Sequence, residues 1–319
     1  MPAQATRRIV GNAAARRKRM IAFGWYGGKF SHLDFILPNL PEDARHFCDV
    51  FGGSAAVVIN RRPTEVETYN DIDSELVNFF KTLRDDKTSE SLIRAIGLTP
   101  FSREELALAC QPSVGLDPIE KARRFFVRAR QTRTGLAQTA SEGRWAHCLL
   151  TSRAGMSGAV SRWLGSVEGL AEIVQRLQRI QIENAPAMEV LERYDSPDTL
   201  FYLDPPYVHQ ARGDSHAYAV EMTDSQHEAL GERLLGIEGR FALSGYRNPI
   251  YDRVLADVRR VEAPAKLCHS VRQERQECLW VNYDENGSRL NVSRLRLCAS
   301  RSPLDQGSGT RVKYSYKAG

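Results

Sequence analysis

Apolar and polar positions alternate between two periods along the chain. Short apolar runs at 46–51, 66–69, 180–182, 199–203, 240–244, 258–262 and 278–283 have the length and the β-branched or aromatic character of strands. Between them lie helical spacings. Leu76, Val77, Phe79, Phe80 and Leu83 recur on one helix face, and a shorter helix is expected over 55–61. Ser102 with Glu105, and Thr223 with Gln226, carry the capping-box spacing that opens helices; the second predicts a helix over 224–236. Residues 117–131 are helical in pattern and strongly basic. Strand, helix, strand, helix is the order of a doubly wound sheet, so the fold class is α/β. From about residue 85 to 191 the strand signals thin out, and 132–163 read as loops with short helices. The expected organisation is an arm over 1–20, a body over 21–85 and 180–298, a helical insertion over 86–179, and a tail over 299–319 that is poor in apolar residues.

Composition narrows this little. With 319 residues, 42% hydrophobic and 26% charged, the chain is ordinary globular material, which excludes collagen-like, wholly disordered and coiled-coil classes. The longest uncharged apolar run, Val50 to Ile59, is far too short to span a membrane. None of the six cysteines forms a C-x-x-C pair, and Cys268, His269 and Cys278 have the wrong spacing for zinc. No metal is expected, and free thiols in a reducing cytoplasm are. The formal charge of +5 is more informative by position. Six basic residues and no acid lie in the first nineteen positions, and residues 120–163 hold nine basic residues against two acidic ones. The arm is either an inert tail or a phosphate-following segment.

The candidate chemistry begins at Leu203-Asp204-Pro205-Pro206-Tyr207, directly after an apolar run. Two prolines fix two φ angles and remove two backbone donors. Such a segment is either a rigid turn or a device that aims the Asp204 carboxylate, the Pro205 carbonyl and the Tyr207 ring at one spot. Two acceptors and a flat ring suit an exocyclic amino group on a base. Upstream, Asp49-Val50-Phe51-Gly52-Gly53-Ser54 ends a strand and opens a helix, without the G-x-G-x-x-G or Walker pattern. About twenty residues later Asp71 ends the next strand, as a ribose-binding acid or as a helix cap. Trp25-Tyr26-Gly27-Gly28-Lys29 reads as an open pocket wall or as a loop anchored by a core Trp.

Taken in order, these segments resemble the Dam-like DNA adenine-N6 methyltransferases of the α arrangement, which have W-x-G-G-K, a D/E-x-F-x-G turn, an acid after the second strand, a target-recognition insertion, and then D-P-P-Y. Tyr218 to Thr223, Leu243-Ser244-Gly245-Tyr246 and Arg275 to Trp280 are similar to the phage and prophage branch. The resemblance implies a Rossmann-like class I S-adenosylmethionine-dependent methyltransferase sheet with a helical target-recognition insertion. It implies S-adenosylmethionine against Trp25, Tyr26, Gly28 and Lys29, with Asp49, Phe51, Gly52, Gly53 and Ser54 under its methionine part and Asp71 on its ribose. Asp204 would border the cofactor and, with Pro205, Pro206 and Tyr207, hold the target adenine. Double-stranded DNA is the implied partner, the cytoplasm of a bacterial or phage-infected cell the implied location, and a cognate restriction nuclease an admissible associate. Two departures stand out: Ala55 occupies a position where the family often has a further glycine, and Gly24 one where it often has Lys. Methylation of structured RNA and a DNA-binding relative without activity are the alternatives. A cytosine-N4 enzyme would commonly carry Ser in place of Asp204.

The basic insertion has two readings. Arg123, Arg124, Arg128, Arg130 and Arg133, interleaved with Phe125, Phe126, Trp145 and Trp163, form either a DNA-facing surface or a solvated helix whose apolar side holds the aromatics. Its position where the family inserts its recognition domain favours DNA contact.

Overall fold

The structure is a computed structural model that describes residues 18–290, apart from 26, 134–136, 154, 208–221, 265 and 268–273. Tyr26, most of the basic arm, Tyr218 to Glu221, Cys268, His269, Cys298 and the tail therefore lie outside the described residues. The chain divides into two compact units, one of residues 32–52, 63–74 and 181–319, the other of residues 1–31, 53–62 and 75–180.

The first unit is built on a sheet of seven strands: β1 (His46–Asp49), β2 (Val66–Asn70), β3 (Gln181–Glu183), β4 (Thr199–Leu203), β5 (Arg240–Tyr246), β6 (Arg259–Glu262) and β7 (Glu277–Val281). Their order is β3-β2-β1-β4-β5-β7-β6. The first five run parallel, and β7 lies antiparallel between β5 and β6. The progression reverses between β1 and β4, the switch point outside which doubly wound sheets bind ligands. β4 and β7 are buried at every position, which is why each reads as an unbroken run rather than an alternation. β1 stops at Asp49, before the end of the apolar run, because Val50 to Gly53 leave the ladder to form a turn. Phe201, Leu203, Phe241, Leu243 and Trp280 pack one core with Leu230, Leu234, Tyr251 and Val254 from the helices Asp224–Leu235 and Pro249–Val254. The first of these helices opens on a complete Thr223–Gln226 capping box.

The second unit is helical: Ala56–Asn60, Ser89–Leu98, Arg103–Ala109, Pro118–Gln131, Gly158–Glu168 and Leu170–Leu177, with most of Ser74–Arg84. It therefore takes in more than the insertion expected over 86–179, and an aromatic core explains why. Phe23 meets Phe79 and Phe125 edge to face at 5.3 and 5.4 Å, Phe79 stacks on Phe126 at 5.6 Å, and Phe126 touches Trp163 at 5.5 Å. Each fully buried aromatic contributes ~1.5–3 kcal/mol, so the early segment and the helix Ser74–Arg84 are bound to Pro118–Gln131. The same helix is tied by charge. Glu120 accepts from Arg123 at 2.7 Å and from Arg124 at 2.8 Å, and Glu105 accepts from Arg123 at 2.8 Å. Ser102 caps its helix through Glu105 N–H, but the Glu105 side chain turns to Arg123 instead of closing a capping box. Among the described residues no helix is long and apolar enough to cross a membrane.

The turn after β1 carries the strictest steric demands. A Cβ on Gly52 would lie 2.1 Å from the buried Tyr69 ring, and Gly53 has φ +48°. Ala55, fully buried, sits in the left-handed region at φ 58° and ψ 17° as the helix Ala56–Asn60 begins. That conformation costs an L-residue about 1–2 kcal/mol, part of which glycine gives back through its freer unfolded chain. Ala55→Gly is expected to raise stability by roughly 0.5–1 kcal/mol and Gly52→Ala to lower it by more than ~2 kcal/mol, both read from urea midpoints at constant m. Hydrogen bonding to Arg123 holds the Glu120 carboxyl down at about 2, against partial burial. A depressed carboxylate pKa stabilises the fold above its unfolded value and loses that effect as pH falls. Glu120→Gln should therefore cost about 1–2 kcal/mol at pH 7 after allowance for solvent screening, with the gap closing between about pH 4.5 and 2 in urea unfolding.

Candidate active site at the carboxyl edge of the sheet

The sheet unit gathers its carboxylates where β1, β2 and β4 end. Register sets Asp49 opposite both Tyr69 of β2 and Tyr202 of β4. Val50 N–H donates to the Tyr202 carbonyl at 2.9 Å, and Gly52 N–H donates to the Asn70 carbonyl at 2.8 Å. Asp204 thus follows β4 at the same end of the sheet as Asp49, and Asp71 follows β2. Asp49 is buried; Asp71 and Asp204 are half-buried. Asp71 Oδ1 accepts from Asp73 N–H at 2.9 Å, and its carbonyl accepts from Asn184 at 2.8 Å, so its backbone is fixed. Burial, then the charges of Asp71, Asp49 and Asp73, push the Tyr69 phenol well up.

The prolines of Asp204-Pro205-Pro206-Tyr207 carry the chain from β4 toward the end of β5. Tyr207 stacks on Tyr246 with ring centroids 4.6 Å apart and planes 14° apart. A small cleft, about 10 Å³, lies among Pro205, Pro206, Tyr207, Ser244, Tyr246 and Asn248. Its walls are braced. Ser244 Oγ donates to the buried Glu277 carboxylate at 2.6 Å, and Asn248 bonds the Tyr246 carbonyl at 3.0 Å while capping the next helix. The cleft holds a water at most.

Of the remaining expected residues, Trp25, Gly28, Lys29, Gly53 and Ser54 lie in the helical unit. Half-buried Trp25 packs against Phe23 and Phe125 at 6.0 and 6.2 Å, and the Gly53 backbone lies against its indole, where a Cβ would come within 3.0 Å. Gly28 closes the turn by donating to the Trp25 carbonyl at 3.0 Å, and a Cβ there would meet that carbonyl at 2.9 Å. Lys29 is buried and donates to the Gly27 carbonyl at 3.3 Å. Ser54 is buried, and Phe51, in the sheet unit, packs on the core from its edge.

The arginines divide. Arg123 and Arg124 are buried on Glu120 and Glu105. Arg128 is buried, pairing with Glu75 at 2.5 Å and donating to the Ala109 and Ala137 carbonyls. Arg130 donates to the Ala22 carbonyl at 2.8 Å. Of the five, Arg133 alone is exposed. The interleaved Phe125, Phe126 and Trp163 are core, and only Trp145 reaches the surface in part. The periodicity of 120–131 is thus that of a packed helix whose buried Arg123, Arg124 and Arg128 pair with half-buried or exposed acids. Sequence reading assigns no role to Asn70, and it marks the segments that hold Tyr246, Ser244 and Glu277 without assigning these residues a part in the site. An aromatic at the end of the strand beside D-P-P-Y was the available signal for Tyr246.

Residues 25–238 match the family of D12 class N6 adenine-specific DNA methyltransferases. Over 128 residues the chain is 31% identical to the DNA N-6-adenine-methyltransferase of Escherichia phage P1, a stretch covering 39% of this chain and 17% of that protein. The chain therefore spans less than a fifth of that relative's length. The family match runs from Trp25 through the acidic strand ends and past Tyr207, about two-thirds of the sequence. With the acids of β1, β2 and β4 ordered along one sheet edge and D-P-P-Y leaving that edge, the chain belongs to the D12 class N6 adenine-specific DNA methyltransferases.

Proposed function

We propose that this protein transfers a methyl group from S-adenosylmethionine to the N6 amino group of an adenine flipped out of duplex DNA. The observation that carries the reading is the D-P-P-Y segment at the switch point of an acidic sheet edge, with Tyr207 already against a second ring. The residues fit the cofactor. Carboxylates at Asp49 and Asp71 complement an ammonium group and ribose hydroxyls, Gly52 and Gly53 permit a tight turn, and Trp25 offers an aromatic face beside Gly28 and Lys29. S-adenosylmethionine supplies, when bound, an electrophilic methyl on a sulfonium. Every other part of the chemistry falls to the chain. The adenine amino lone pair is delocalised into its ring and is a poor nucleophile. Asp204 and the Pro205 carbonyl accept its two N–H groups, which favours a pyramidal nitrogen. The Asp204 carboxylate also stabilises the positive charge that grows there. Pro206 keeps both acceptors rigid. Tyr207 and Tyr246 supply stacking faces that offset part of the few kcal/mol of unpairing. The insertion over 86–179 acts as the target-recognition element, with Arg133 in place of the buried arginines as its exposed cation. Action in the cytoplasm of a bacterial or phage-infected cell follows from the same reading.

Labelled methyl transfer to duplex oligonucleotides tests the assignment. Asp204→Asn should lower kcat by at least about 10³ with the unfolding midpoint unchanged; undiminished transfer would sink the mechanism. Tyr246→Phe should keep activity near the parent. Tyr246→Ala should lower kcat/KM by roughly tenfold or more, and equal losses in the two variants would remove the ring from the site.

A further inference from the structure

The arginines of the helical unit fall into two electrostatic classes. Those in the body of the helix Pro118–Gln131 are each neutralised by a carboxylate, as described above. Arg130 at its last turn, Arg133 just beyond it, and Arg162 on the helix Gly158–Glu168 are not: among the described residues no carboxylate pairs with any of them. Arg130 is bonded to one carbonyl, and Arg133 to the Trp145 carbonyl at 3.3 Å and to His147 Nδ1 at 3.0 Å. All three surround one open cavity of about 230 Å³, which His147 and Cys148 also line. The backbone fixes this grouping. Arg133 N–H donates to the Arg144 carbonyl at 2.9 Å and Ala146 N–H to the Gln131 carbonyl at 2.8 Å, so the two segments carrying Arg133 and His147 are laced together. Burial without a counter-charge pulls the Arg130 guanidinium down to about 10, the opposite of what acids do for Arg123. A cavity holding many times the ~10–15 Å³ one water needs, lined by three guanidinium groups with no paired carboxylate among the described residues, suits an anion with several acceptor oxygens.

We infer that the cavity bounded by Arg130, Arg133, His147 and Arg162 is a phosphate pocket that seats one backbone phosphodiester of the DNA substrate. Guanidinium forks match phosphate oxygens bidentately, and a contact of this kind sets the position of the duplex without reading its sequence. The inference rests on the DNA-methyltransferase reading for the identity of its ligand, and on the charge geometry for its existence.

Arg133 and Arg162 are exposed, so Arg133→Gln/Arg162→Gln removes charge without opening the core. Affinity of the full chain for a mixed-sequence duplex is measured by fluorescence anisotropy across a salt series. The expected result is weaker binding on every sequence, with the salt slope shallower by about 1. Unchanged affinity and slope would overturn the pocket, and so would a loss confined to one DNA sequence. Cys148 lines the cavity and gives a readout independent of activity: its alkylation by iodoacetamide, followed by peptide mass spectrometry, should slow with inorganic phosphate and with duplex DNA. Protection by neither would overturn the pocket. Protection by phosphate but not by DNA would overturn the duplex assignment and leave a free-anion site. Labelled methyl transfer run in parallel separates the two ideas. Protection of Cys148 by DNA together with a shallower slope in the variant supports the pocket even where no methyl is transferred, and that last result would count against the proposed activity alone.

Discussion

The side-chain amide of Asn70 fixes the geometry on which the acidic edge depends. It is buried at the end of β2, donates to the Val50 carbonyl at 2.9 Å and the Ala185 carbonyl at 3.1 Å, and accepts from Ala185 N–H at 3.0 Å. One residue thus ties together the chain leaving β1, β2 and β3. Backbone groups that leave a parallel ladder in the interior must find partners, and a satisfied amide supplies them at low cost where an apolar residue would strand them. The Gly52 N–H closes on the same residue's carbonyl, and the Tyr69 ring beside it forbids a side chain at Gly52. The positions of Asp49 and Asp71 are consequences of that arrangement.

From this edge outward, function becomes a matter of what each strand end delivers. β1 delivers Asp49 and the glycine turn, β2 delivers Asp71, and β4 delivers Asp204 with two prolines that hold its neighbours still. β5 delivers Tyr246, and antiparallel β7 brings Glu277 to Ser244 behind it. The strand ends place the acceptors, and the half-buried rings of Tyr207 and Tyr246 stack beside them.

Much of this was legible in the sequence for a physical reason. β4 and β7 are buried on both faces, so their composition alone marks them, and the Thr223–Gln226 cap obeys a local rule that tertiary packing does not disturb. D-P-P-Y could be placed at a strand end because prolines cannot continue a ladder. The arginines stayed ambiguous because charge periodicity on a helix is the same whether the cations meet water, DNA or acids of the same fold. Glu120 of the same helix begins the pairing of Arg123, but Glu105, which completes it, and Glu75, which pairs with Arg128, are brought to this helix from elsewhere in the chain. The reach of the helical unit was hidden likewise, since Phe23 and Phe79 join Phe125 through ring contacts that no local pattern announces. Ala55 is an instructive intermediate. The sequence marked it as an unusual occupant of a glycine position, and the backbone there is indeed left-handed.

The most direct test of adenine methylation at this edge is to express the chain in a host lacking adenine methylation and map modified bases by single-molecule sequencing. N6-methyladenine should appear at one short recurring sequence and vanish with Asp204→Ala. Genomic DNA without modified adenine despite folded, soluble expression, or methyl groups on cytosine instead, would contradict it.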